Sequence, residues 1–335
     1  MSVIISGIGG AAPKNEVSNE AISARVDTTP EWIHSRTGIV NRRHATAGMT
    51  TSGLAVEAGR NAIKASGSDR GVDMLLLATA TPDRRCPATA PKVAAGLGLG
   101  PIPAVDVSAV CSGFIYGLQL AAGMVRAGMA NRVLMIGADV FSAILDPDDR
   151  TTLPIFGDGA GAVIVERGGP QNLFDVATAS DGAFEDLITI RGGGVEAHFN
   201  EAMPGRNDRF FRMEGKAVFQ MAVTSMTRSV TAILESNGLT LEDIDLVVGH
   251  QANSRILAAI GEQLDLPPEK IQISLDKFGN TSAASIPLAL IDAAQEQRLA
   301  PGDKIALTAF GGGLTWGAAL LEWPALPGEV SITQV

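Results

Sequence analysis

The sequence predicts an α/β fold built from two similar halves, and three observations carry that prediction. At 335 residues the chain exceeds what one compact core usually encloses. Apolar runs of strand length alternate with amphipathic stretches of helical period throughout. The same order of runs recurs in each half, and each half sets a chemically distinctive residue at a strand-to-helix turn, the pattern of an internal duplication.

In the first half, VDMLLLATATP at 72–82, IPAVDVSA at 102–109, RVLMIGADV at 132–140 and AVIVE at 162–166 are strand-like. Bounded by Gly, Pro or charged residues, such runs predict buried strands of an α/β sheet. GLAVEAGRNAIKAS at 53–66 and GFIYGLQLAAGMVRAG at 113–128 have helical character. In the second half the strand-like runs are DIDLVVGH at 243–250, IQIS at 271–274, KIALTAF at 304–310 and GAALLEW at 317–323. Helical stretches cover 216–236 and 282–298. A Gly/Pro-rich turn, RGGPQN at 167–172, marks the expected join. The halves are therefore 1–170, carrying a candidate nucleophile, and 171–335, carrying a His and an Asn.

A hydrophobic content of 46%, with 38 glycines and 4% aromatics, predicts tight packing with glycine at turns and close backbone approaches. The net charge of −10 argues against a general nucleic-acid binder, which would carry a basic face. Two cysteines, Cys86 and Cys111, are too few for a disulfide framework and suit a reducing compartment. The start MSVIISGIGGAAP lacks the charged and apolar regions of a secretory leader. No apolar run approaches the ~20 residues that span a bilayer. A cytoplasmic enzyme is expected.

Cys111 sits where an apolar run ends and a helical run begins, so unpaired N–H groups and the positive end of the helix dipole are expected to favour its thiolate. An unpaired Cys is ordinarily a small buried hydrophobe, but a nucleophile also needs partners, and two sites supply them. His250 closes the apolar run 244–250, where a side chain projects beyond a sheet edge. Asn280 follows Gly279 before a small-residue helical stretch, where it is either a helix cap or a donor. GDGAGAVIVE at 157–166 continues as a strand, so it is not a dinucleotide loop; it reads as close packing around a cleft. The triplet 311–313 reads as a backbone approach site. His34, His44 and His198 lack metal-ligand spacing, so surface or loop roles are expected and no metal is implied.

With these residues in place, the chain resembles the β-ketoacyl-acyl-carrier-protein synthase III family. Six blocks match in order over nearly the whole length: DTTPEWIHSRTGI at 27–39, Cys111 with its helix, DRTTLPIFGDGAGAVIVE at 149–166, GHQANSRI at 249–256, FGNTSAAS at 278–285 and AFGGGLTWGAAL at 309–320. It is also similar to starter-unit ketosynthases of aromatic polyketide pathways. The resemblance implies a thiolase-like layered αβαβα fold in which helix N-termini from both halves meet at one active site. It implies that Cys111 takes the acyl group of an acyl-coenzyme A substrate, with the N–H groups of Cys111 and Gly312 as oxyanion hole. His250 and Asn280 would then donate to the carbonyl of a decarboxylating malonyl-acyl carrier protein. The implied reaction needs no cofactor beyond the substrates, and the implied assembly is a homodimer. By the same resemblance Trp32 and Arg150 sandwich the adenine of coenzyme A, Arg36 contacts the nucleotide, and Arg255 docks the carrier protein.

Two residues depart from that pattern. Lys216 stands where relatives often have Asn, which puts a pantetheine hydrogen bond in question. Cys86 stands where short-chain members often have Phe, on a wall reaching into the partner subunit's primer pocket, so a primer larger than acetyl is expected. Two other readings keep part of the pattern. An acyltransferase acting on an alcohol or amine would need His250 as a base oriented by a carboxylate. A non-enzymatic partner subunit would have lost the nucleophile.

Overall fold

A computed structural model describes residues 2–169, 172–198 and 205–335. Among these, one sheet runs in the order Ile332–Gln334, Val3–Ala12, Gly159–Arg167, Arg132–Asp139, Met74–Ala78, Ala104–Val107. A second runs Leu246–Gly249, Lys304–Gly311, Thr315–Glu322, Phe174–Ser180. From Val3–Ala12 the successive pairings are antiparallel, antiparallel, parallel and parallel. From Phe174–Ser180 they are antiparallel, antiparallel and parallel, followed by an isolated parallel bridge from Val247 to Ile271. The two sheets thus repeat one strand order, as the duplication in the sequence predicts.

Three apolar clusters stack the layers. Phe114, Leu118 and Val125 of helix Gly113–Arg126 and Ile286, Leu290 and Ile291 of helix Ser285–Gln295 share a core with inward faces of both sheets, such as Met135, Val163, Leu307 and Ala319. Leu54, Ala58 and Ala62 of helix Thr51–Ala65 cover the outer face of the first sheet. Val223 and Val230 of helix Gly215–Ser236 and Ile260 of helix Ser254–Gln263 cover the outer face of the second. The result is the expected αβαβα layering. Gly159 and Gly161 let the central helix approach, because a Cβ on Gly161 would lie 2.6 Å from Pro287 and one on Gly159 2.9 Å from Leu288. This is the packing role expected of the 157–166 glycines.

The structure departs from the sequence reading in several elements. The run at 271–274 forms a single bridge and no strand: Gln272 N reaches Val247 O, but Ile271 N turns back to Pro268 O and Ser274 N donates to the Gln251 side chain. Val3–Ala12, whose glycines lower its strand character, is a central strand; its Gly7 and Gly9 face helix Thr51–Ala65 with no room for a Cβ. The tail strand Ile332–Gln334 joins the sheet of the first half. The expected join at 170–171 lies outside the described residues.

The duplication extends to the two turns that matter most. Each central helix is preceded by a short 3₁₀ turn, Val110–Ser112 before Gly113 and Ser282–Ala284 before Ser285. The first residue of each turn has positive φ, 45° at Val110 and 53° at Ser282. A β-branched residue such as Val110 is costly there, on the order of 1–3 kcal/mol, and it sits half-buried beside an apolar cluster. Cys111 and Ala283 therefore occupy equivalent places, and both turns bring helix N-termini to one point.

Candidate active site

Cys111 is buried at this elbow, with its backbone pressed by the hairpin between Lys304–Gly311 and Thr315–Glu322. A Cβ on Gly311 would lie 2.9 Å from the N atoms of both Cys111 and Ser112, so only glycine allows that approach. Thr315 Oγ1 donates to Ala109 O at 3.2 Å, and Ser112 Oγ donates to Thr315 O at 2.9 Å, tying the hairpin to the nucleophile turn. Gly312 follows at the hairpin tip, with its Cα face toward Ile188.

The expectation of a thiolate at a helix N-terminus is not met. Burial pushes the Cys111 thiol up to about 12, and the nearby Asp139 carboxylate pushes the same way. The Ser282 hydroxyl and the Cys111 backbone N–H oppose this without overcoming it. Desolvation of the anion is the largest influence on this group, and the resting residue is a thiol. Asp139 is itself fully buried and held above the usual carboxylate range by burial. It accepts from Thr79 Oγ1, Ala80 N, Thr81 N and Thr81 Oγ1 at 2.8–3.1 Å and from Ala283 N at 3.2 Å, tying the segment after strand Met74–Ala78 to the second elbow. Among the described residues Ser282 Oγ is buried without a partner at strict hydrogen-bond geometry, yet it lies close enough to favour the anions of both Cys111 and Asp139.

His250 lies just past the end of strand Leu246–Gly249, fixed by its N–H donating to Thr308 O at 2.8 Å. Its ring is buried, and burial lowers its pKa to about 4, so it is neutral at pH 7. Nδ1 lies 2.6 Å from Ser285 Oγ. Asn280 is held by its neighbours on both sides: its N donates to Ile155 O at 2.9 Å and its O accepts from Gly157 N at 2.9 Å. Its Oδ1 accepts from Ser282 N at 2.9 Å, which leaves the Nδ2 donor pair toward the cavity. The Oδ1 contact caps the turn that leads into helix Ser285–Gln295, so capping by Oδ1 and donation by Nδ2 are compatible.

Cys111, His250 and Asn280 line one cavity of about 40 Å³, walled by Phe156, Phe211, Met213 and Phe310 among others. An outer chamber shares Met213, Val218, Ala252, Ile256 and Asn280 with it and opens past Thr151, Phe219 and Asn253. At its rim, Arg255 places Cζ 5.9 Å above the Phe219 ring, and Lys216 is exposed in the first turn of helix Gly215–Ser236. Trp32 is 40% exposed, with Arg150 Cζ 5.8 Å above its ring and Arg150 also paired with Asp27 at 3.3 Å. Two stacking contacts of ~3.5 Å need ~7 Å between partners, so an inserted aromatic base would part the two by about 1 Å. Arg36 is exposed on the same helix as Trp32, and its carbonyl accepts from Asn253 Nδ2 at 3.0 Å.

One expectation is refined with the structure in view. His44, expected in a surface or loop role, lies in the loop after strand Asn41–Arg43 but is buried there, with Nε2 3.1 Å from Phe156 O and a pKa lowered by burial against the pull of Asp158. It braces the segment that holds Asn280. His34 and His198 are exposed as expected, and among the described residues no cluster could hold a metal ion. Cys86 is exposed and is not part of the Cys111 cavity of its own chain. Sequence reasoning missed Asp139, Ser282 and Ser285, whose importance depends on pairing across the halves. The spacing of Ser282 and Ser285 after Asn280, matched by that of Val110 and Gly113 in the first half, was the one available signal.

Comparison with known proteins agrees with this geometry. The 3-oxoacyl-[acyl-carrier-protein] synthase III family profile matches residues 105–182, and the profile of that family's C-terminal part matches residues 234–323. The chain is 51% identical to β-ketoacyl-[acyl-carrier-protein] synthase III 5 of Streptomyces coelicolor over 326 residues, 96% of this chain and 97% of that protein. It superposes on the crystal structure of 3-oxoacyl-(acyl carrier protein) synthase III from Pseudomonas aeruginosa with a TM-score of 0.89 and 42% identity, over 97% of this chain and 99% of that one. The priming β-ketosynthase of the R1128 polyketide pathway gives a TM-score of 0.91 at 30% identity, covering 97% of each chain. The fold is that of the thiolase-like synthases. The paired elbows, the shared cavity and the end-to-end similarity lead to one conclusion: this chain belongs to the β-ketoacyl-[acyl-carrier-protein] synthase III family.

Proposed function

We propose that this chain catalyses the decarboxylative Claisen condensation of an acyl-coenzyme A primer with malonyl-acyl carrier protein. The observation that carries the reading is the convergence of Cys111, His250 and Asn280 on one cavity, with an amide donor of Asn280 unengaged. In the first half-reaction Cys111 Sγ attacks the primer thioester. The carbonyl oxygen becomes an oxyanion held by the N–H groups of Cys111 and Gly312, coenzyme A leaves as a thiolate, and the Cys111 proton passes to it. Because the resting group is a thiol, its ionisation is coupled to substrate binding.

In the second half-reaction the malonyl thioester loses carbon dioxide, and the electron pair of the broken C–C bond moves into an enolate. His250 and Asn280 donate to the enolate oxygen as its charge develops. The enolate carbon attacks the Cys111 thioester carbonyl, the C–S bond breaks with its electron pair on Sγ, Cys111 takes a proton from solvent to become a thiol again, and the β-ketoacyl product leaves on the carrier protein. A neutral His suits this step, since the reaction asks for a donor and no base. The transfer of the acyl group to an alcohol or amine is disfavoured for the same reason: His250 is turned by a serine, with no carboxylate to raise its basicity.

Trp32, Arg36 and Arg150 would receive the nucleotide of coenzyme A, and Arg255 with Lys216 would meet the acidic carrier protein at the rim. The assembly is proposed to be a homodimer, with Cys86 of one subunit at the primer end of the other's pocket. Within one chain the cavity has room for about three water-sized atoms. On this reading, space for a primer beyond acetyl comes from the subunit boundary where the partner's Cys86 would stand. Supplying an acyl-coenzyme A panel with malonyl-carrier protein, and reading the carrier's mass, tests the function. A β-ketoacyl carrier of the primer's length is expected. Acylated alcohol or amine with the malonyl group intact would overturn it.

A further inference from the structure

We propose that Ser285 is the positioning residue that holds His250 in its Nε2–H tautomer and so makes it a donor to the malonyl carbonyl oxygen. This rests on the condensing role of His250 proposed above. The two side chains lie 2.6 Å apart, Ser285 Oγ to Nδ1, and both residues are buried, at 2% and 3% exposure. The direction of this hydrogen bond follows from counting protons.

Ser285 Oγ accepts the Gln251 N–H at 3.3 Å. That N–H is held in place, because the Gln251 side chain donates to Gly249 O at 2.9 Å and to Gln272 O at 3.0 Å, and accepts from Ser274 N at 2.8 Å. The hydroxyl has one proton, and among the described residues His250 Nδ1 is the acceptor within its reach. If Nδ1 carried the proton instead, the serine oxygen would face two donors while its own buried proton had no acceptor, an unfavourable arrangement. The O–H therefore donates to Nδ1. A neutral imidazole with Nδ1 as acceptor bears its proton on Nε2, the nitrogen left for substrate. Ser285 is the first residue of the second central helix, five residues after Asn280, so one elbow supplies both a donor and the group that orients its partner donor.

The test combines a direct tautomer measurement with kinetics on the full-length protein. In ¹⁵N-histidine-labelled wild-type enzyme at pH 7, the His250 signals, assigned by their loss in His250→Ala, should show a neutral ring protonated at Nε2. In Ser285→Ala a mixture of tautomers is expected. Decarboxylation of malonyl-carrier protein should fall about 10- to 100-fold in kcat with little change in KM. That is less than the roughly 100- to 1,000-fold expected from deleting a donor outright, because part of the population still presents Nε2–H. Ser285→Thr, which keeps the hydroxyl, should recover most of the rate. A wild-type ring protonated at Nδ1, or a Ser285→Ala enzyme with wild-type tautomer and rate, would overturn the assignment. His250→Ala decarboxylating at the wild-type rate would instead overturn the condensing role on which it rests.

Discussion

Burial and chemistry pull in opposite directions at the two cysteines. Cys111 is buried with its thiol pushed up to about 12, whereas Cys86 is exposed. Iodoacetamide at pH 7 should therefore label Cys86 first, and labelling of Cys111 should accelerate as pH rises, as peptide mapping over time would show. Faster labelling of Cys111 at neutral pH would mean that the free enzyme already holds a thiolate. In the proposed reaction His250 and Asn280 act later, so their alanine variants should still take up the acyl group while decarboxylating roughly 100- to 1,000-fold more slowly. Asn280→Asp should be as slow, since it adds negative charge beside a developing enolate. The His250 pKa of about 4 also sets a pH signature. Its neutral donor form should persist as pH falls through 6.5, so decarboxylation should show no inflection there. Folding lowers this pKa, so the unfolded chain binds the proton more readily. The stability tied to neutral His250 is full above pH 6.5 and is lost as pH falls toward 4.

At the scale of elements, glycine decides how closely the central helices can lie. Gly161 sits where a Cβ would meet the Pro287 side chain at 2.6 Å, so Gly161→Ala should destabilise the fold by about 1–3 kcal/mol in denaturant titrations. An unchanged midpoint would show that Pro287 can yield. The strands and helices with strong periodicity were legible in the sequence, as were the two elbows, because a Cys and an Asn stand out at strand-to-helix turns. Val3–Ala12 was not legible, since its glycines are selected by contact with a helix some 50 residues away and weaken the local strand signal. Ser285 was equally hidden. Its neighbours Ala283, Ala284 and Ile286 give it the appearance of a helical small residue, and its meaning comes from His250 on the other side of the sheet edge.

At the scale of the whole molecule, the duplicated sheets turn two similar elbows toward each other, one presenting the thiol and the other the donor set. The elbows differ in content because Ala283 takes the place that Cys111 occupies in the first half. On the proposed homodimer, primer choice belongs to this scale too, with Cys86, which lies outside its own chain's cavity, acting across the subunit boundary. If that contact exists, Cys86→Phe should shift the preference from butyryl- or branched acyl-coenzyme A toward acetyl-coenzyme A by roughly tenfold, at about 0.8 kcal/mol per methylene. Steady-state comparison of the primers on both enzymes measures it; an unchanged ranking would place the end of the pocket elsewhere.

The central claim is that one thiol stores the primer and two donors on the opposite half release it by condensation. Intact-protein and peptide mass spectrometry tests this most directly, with the enzyme first loaded from acyl-coenzyme A and then chased with malonyl-acyl carrier protein while carbon dioxide is collected. One acyl group should appear on the peptide carrying Cys111 and disappear on the chase with an equal amount of carbon dioxide. In His250→Ala the acyl group should load and then remain. An adduct on Cys86, or its loss from Cys111 without carbon dioxide release, would contradict the account.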